Sequence, residues 1–144
     1  MTKITDCAAT LRGKKNGVAQ KIKAAEELAK LAHQDVNGAK NSIREAGCLE
    51  LLLDLLEHSD SRLRSPGSRA IWSLSHANPL NKKEIGERGG IAKIVKLIND
   101  PRDGGAFNVQ ATGALWALAH DTPRNKDLIR QCGGIAKLIG LLSG

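Results

Sequence analysis

An all-α solenoid is the fold this 144-residue sequence predicts. Three observations carry it: a period of about 44 residues, an apolar stripe at helical spacing inside each period, and paired glycines at fixed places between stripes. Residues 70–97, AIWSLSHANPLNKKEIGERGGIAKIVKL, and residues 114–141, ALWALAHDTPRNKDLIRQCGGIAKLIGL, are identical at 14 of 28 positions with a constant offset of 44. Residues 27–56 repeat the pattern more weakly, Gly47 falling 42 before Gly89 and His33 falling 43 before His76. Ankyrin and tetratricopeptide arrays, with units of about 33 and 34 residues, are excluded by this period. No unit can bury its stripe alone, so neighbours must stack into a continuous core.

Taken in chain order, residues 1–17 read as a basic segment leading into the first helix, with no apolar run of the secretory kind. A weak first unit spans 18–47, followed by units at 48–89 and 90–133 and an incomplete one at 134–144. The longest helix of the better-matched units is expected from about Leu63 to His76 and from about Phe107 to His120. Leu63, Gly67, Ala70, Ile71 and Leu74, and Phe107, Ala111, Ala114, Leu115 and Leu118, make one stripe on a 3.6-residue helix. Pro79 and Pro123 open a short second helix, because proline at the first helical position forfeits no hydrogen bond. Gly89-Gly90 and Gly133-Gly134 then close it, the first glycine supplying the left-handed backbone. Cys48 stands where the second glycine would be in the weaker unit, so only the first position demands glycine.

Apolar residues make up 41% of the chain and charged residues 26%, and the longest apolar run, LELLLDLL, is too short and too charged to span a bilayer, so no membrane insertion is expected. Cys7, Cys48 and Cys132 lie in no metal or disulfide spacing, which fits reduced thiols and a cytoplasmic or nuclear setting. Cys7 alone has basic neighbours that could activate a thiolate. The formal net charge of +7 favours acidic partners.

The frame FNVQATGALWALAHDTPRNKDLIRQCGGIAKLI, residues 107–139, closely resembles the armadillo repeat, and the resemblance extends over about 18–144. HEAT repeats share the period but lack the Gly-Gly-Ile joint and stand as a lesser alternative. What the resemblance implies is a right-handed superhelical solenoid of three-helix repeats, acting as a non-catalytic scaffold whose third helices line a concave groove for an extended peptide or a partner surface.

At 100° per residue, the positions opposite the core stripe on the third helices are Gln110, Gly113, Ala117 and His120, with Trp116 at the edge. One unit earlier they are Arg62, Pro66, Arg69, Ser73, His76 and Trp72, and before that Lys23, Glu26, Lys30 and His33. Nuclear-import adaptors of this family grip a basic peptide with a Trp and an Asn four residues later. The aligned positions here hold Arg69 and Ser73, then Gly113 and Ala117, so neither pair is present. A basic groove would repel a basic peptide, and an extended acidic or phosphorylated segment is the expected ligand. Trp72 and Trp116 are expected both to cover seams between third helices and to anchor a partner.

His33, His76 and His120 form a ladder, but helices 8–10 Å apart cannot share a metal that needs nitrogens at about 2.1 Å, so no metal is assigned. No phosphate loop, catalytic carboxylate frame or nucleophile motif occurs, and neither catalysis nor a cofactor is expected. Nucleic-acid binding by the basic N-terminal half is a lesser reading, weakened by the lack of interleaved aromatics. Finally, Ile135, Leu138, Ile139, Leu141 and Leu142 are expected to lie uncovered, which makes a structural subunit, docking or self-associating through this C-terminal face, the alternative function.

Overall fold

The computed structural model describes residues 3–143. Among the described residues there are ten α-helices, one short 3-10 turn and no strand. The helices are α1 (Lys3–Arg12), α2 (Val18–Gln34), α3 (Ala39–Glu45), α4 (Cys48–Leu55), α5 (Ser61–Ser75), α6 (Pro79–Glu87), α7 (Gly90–Leu97), α8 (Asn108–Ala119), α9 (Pro123–Gln131) and α10 (Gly134–Ser143). Three rows result. The long helices α2, α5 and α8 lie side by side, α3, α6 and α9 form a second row, and α1 with α4 and α7 with α10 form the third. Leu28, Ile43, Leu52, Ile71, Leu74, Ile85 and Ile94 lie fully buried between the rows.

The segment read as a basic lead-in contains α1. Its Cys7, Ala8 and Leu11 fall on one helical face and join the core, and α1 packs on α2 and α4 as the second helix of a preceding repeat would. In contrast, α8 starts only at Asn108, almost one turn later than the place equivalent to the start of α5 at Ser61. Gly104 and Gly105, at φ +59° and +82°, hold the backbone left-handed where the first turns of a longer α8 would run.

At the joints, Gly47, Gly89 and Gly133 have φ of +79°, +76° and +80°. The second glycine serves close approach instead: a Cβ on Gly90 would stand 2.9 Å from the Ile85 carbonyl oxygen, and one on Gly134 2.9 Å from that of Ile129. At the first joint a Cβ fits, and Cys48 is fully buried there.

Two polar ladders fix the register of the stack. Asn81 Nδ2 donates to Leu74 O at 2.9 Å and to Lys40 O at 3.3 Å, and Asn125 Nδ2 repeats this with Leu118 O at 2.9 Å and Lys82 O at 3.0 Å. Each buried amide, near the start of one short helix, thus ties the end of the preceding long helix to the short helix before that. Lys40 Nζ donates to His76 O at 2.8 Å and Lys82 Nζ to His120 O at 3.1 Å, placing a cation on the carbonyl end of the next long helix.

One ion pair is buried outright. Arg64, in α5, donates to Asp103 Oδ1 and to His58 O, and its guanidinium carbon lies 5.8 Å from the Phe107 ring centroid. The pair pins the irregular 101–107 segment onto α5.

Candidate binding surface

The α2/α5 face forms an open hollow of about 600 Å³ around Trp72, with Lys23, Lys30, His33, Arg69 and Ser73 on its walls. It continues into a second hollow of about 340 Å³, where His76 and Lys40 join the same Trp72 and Ser73. Glu26 and Glu27 also line the first hollow, and Glu27 is paired with Lys3 at 3.6 Å. Lys23, Lys30 and Arg69 form no ion pair among the described residues, so their charge faces the cleft. A small residue makes the hollow: Ala29 stands in α2 where α5 and α8 carry tryptophan, and it is buried on the floor.

Trp72 serves the seam first. A Cβ on Gly113 would come within 2.6 Å of Trp72 Cζ2 and 2.8 Å of Nε1, so the indole lies against the α8 backbone and only glycine fits there. It nevertheless remains 37% exposed, leaving one edge for a ligand. Trp116, its equivalent, has no such cover: it is 65% exposed and stacks on His120 with ring centroids 5.6 Å apart.

Several sequence expectations change here. Ala117 is buried and offers no surface, because α8 is enclosed by α5, α6, α7 and α9 and buries a wider arc than one stripe. Pro66 is buried as well. Arg62 is engaged by Asp60, which accepts Nε at 3.1 Å and Nη2 at 2.8 Å and is held down at about 2 by this pairing. Its charge is spent on the α5 N-cap, not offered to the hollow. Gln110 is half-buried, and Gly113 is covered by Trp72. Trp116 does not extend the charged hollow. It borders a separate apolar one of about 440 Å³, shared with Leu115, Ile129, Ile135 and Leu138. Of the C-terminal set, Ile135, Ile139 and Leu142 are exposed, whereas Leu138 and Leu141 pack partly against the core.

His33, His76 and His120 stand at successive helix ends, and among the described residues no group of three or more His, Cys, Asp or Glu could hold a metal ion. Among the same residues no helix is long and apolar enough to cross a membrane. Cys7 is not activated: burial, then Glu27 and Asp6, push its thiol up, and burial raises Cys48 to about 11. Only Cys132 is exposed. A thiol reagent applied to the native protein is therefore expected to label Cys132 alone, with Cys7 and Cys48 reacting after unfolding, as peptide mass mapping would show.

One pair was beyond sequence reasoning. Arg64 and Asp103 carry no period, since Asn108 stands 44 after Arg64. The asparagine ladder did leave a signal, the Asn-Lys dipeptide at 81–82 and 125–126.

No protein-family model matches the chain. The human armadillo repeat-containing protein 3 is 26% identical over 105 residues, which is 73% of this chain and 12% of that protein. The crystal structure of an engineered protein superposes with a TM-score of 0.88 at 25% identity, covering 100% of this chain and 56% of that one. The armadillo repeats only protein of Plasmodium falciparum superposes at 0.79 with 21% identity, over 97% of this chain and 61% of that one. This chain has the fold of an armadillo-repeat solenoid. It spans about an eighth of the human relative's length and little more than half of each solved chain. In armadillo terms α2, α5 and α8 are third helices, and the charged hollow lies on the third-helix face. An armadillo-repeat scaffold is in general suited to protein interaction.

Proposed function

We propose that the chain is a non-catalytic interaction module that holds an extended acidic segment of another protein along the α2/α5 face. The observation that carries this reading is the convergence of Lys23, Lys30 and Arg69, none of them ion-paired among the described residues, around the exposed edge of Trp72. Those three cations complement carboxylate or phosphate groups and repel a basic peptide. Trp72 supplies an apolar anchor that folding has already ordered, so little side-chain entropy is lost on binding. His33 and His76, exposed at the rim, offer hydrogen bonds to a passing backbone.

The test uses a labelled peptide rich in glutamate, titrated by fluorescence anisotropy. The double variant Lys30→Glu/Arg69→Glu is expected to weaken binding at least about tenfold, some 1.4 kcal/mol, and wild-type affinity is expected to fall steeply with salt. Unchanged binding by a variant that keeps its helical circular dichroism would remove this face as the site.

A further inference from the structure

We propose that the acidic segment lies lengthwise in the seam between α2 and α5, with about six of its residues in contact, and does not cross onto α8. This course rests on the interaction role proposed for the face and adds to it a direction, a length and a charge pattern. Two seams of the same construction differ here. Between α5 and α8, Trp72 lies against Gly113 and fills the gap. One repeat earlier the equivalent positions hold Ala29 and Arg69, a small buried floor and a cation with no ion pair among the described residues, and the seam stands open.

Hollows follow one another down this seam. One of about 520 Å³, near the start of α5, is bordered by Ile22, Glu26, Ser61, Arg62, Ser65 and Arg69. It shares Glu26 and Arg69 with the hollow of about 600 Å³, which in turn shares His33, Trp72 and Ser73 with that of about 340 Å³ beside His76. From Arg62 to His76, the wall formed by α5 and its C-cap rises about 21 Å, the reach of about six extended residues. A course across onto α8 offers an acid nothing. The positions there, Gln110, Gly113 and Ala117, carry no charge, and Gly113 is taken by Trp72. Lys23, Lys30 and Arg69 all border the middle hollow, whereas beyond Arg69 the segment passes Glu26, and Arg62 there is held by Asp60. The occupant is therefore acidic at its centre and uncharged at the end that reaches the start of α5.

The probes are labelled peptides of about four, six and ten residues, glutamate-rich at the centre and uncharged at one end, titrated into the intact chain at about 0.15 M salt, where exposed charges are screened beyond about 8 Å. Affinity is expected to rise up to about six residues and then to level. Ser65→Trp, which fills the hollow at the start of α5, and His76→Glu, which sets a negative charge at the other end, should each weaken the six-residue peptide at least about threefold. Gln110→Glu and Trp116→Ala, both on α8, should leave it unchanged. Circular dichroism checks that each variant stays folded. The lengthwise course is overturned if affinity keeps rising to the longest peptide, or if the α8 variants weaken binding and the seam-end variants do not. In either case, weakening by Lys30→Glu/Arg69→Glu would leave the interaction role of the face standing, whereas failure of every peptide to bind would remove both.

Discussion

Replacing Arg64 with alanine is expected to destabilise the solenoid by about 3–5 kcal/mol, a large fraction of the 5–15 kcal/mol typical of a domain. The guanidinium and the Asp103 carboxylate are both nearly sealed from water, at 2% and 7% side-chain exposure. Removing the cation leaves a buried carboxylate with no partner, deprives His58 O of its donor, and opens a void beside Phe107. Asp103→Ala should cost a similar amount by stranding Arg64. A double replacement by apolar residues, Arg64→Met with Asp103→Leu, should cost far less, because it removes both desolvation penalties together. Urea denaturation of the four proteins closes the cycle. Hydrogen exchange locates the effect: amides at the start of α8 should lose protection first, since the pair anchors the segment that leads into that helix. Equal losses for the single and double variants would mean that packing volume, and not charge, dominates at this place.

Asn81→Ala is the second large effect, about 3 kcal/mol, from three lost hydrogen bonds of which one is to a charged donor. Its amide donates to the carbonyls of Leu74 and Lys40, and its Oδ1 accepts from Arg44 Nη1 at 2.8 Å. Truncation leaves the Leu74 carbonyl at the end of α5 without its donor and releases α6 from the helices before it. Asn125→Ala, which loses only the two donations to Leu118 O and Lys82 O, should cost less. The order of the two midpoints in thermal unfolding tests this. If Asn125→Ala proved the more damaging, the Arg44 contact would contribute nothing at the first joint.

The sequence by itself determined the repeat, the helices and the joints. A 44-residue offset, stripes at helical spacing, prolines at helix starts and one obligatory glycine per joint are local or periodic properties, and each reflects backbone sterics or one-sided burial that a linear pattern records. It also placed Lys23, Lys30, His33, Arg69, Trp72, Ser73 and His76 on one face, and these are the residues that meet around the α2/α5 hollow. What periodicity could not decide was which residues touch across repeats. The burial of Ala117, the commitment of Arg62 to Asp60 and the Arg64–Asp103 pair each depend on a neighbour that no periodic pattern designates. The two tryptophans show the difference most clearly. They occupy identical local frames, yet Trp72 lies on Gly113 of the next repeat and Trp116 stands open beside an apolar hollow. Local sequence assigns them the same place on a helix. Only the stacking of α8 onto α5 makes one a seam and leaves the other a surface, because the deciding contact lies 41 residues away in the chain.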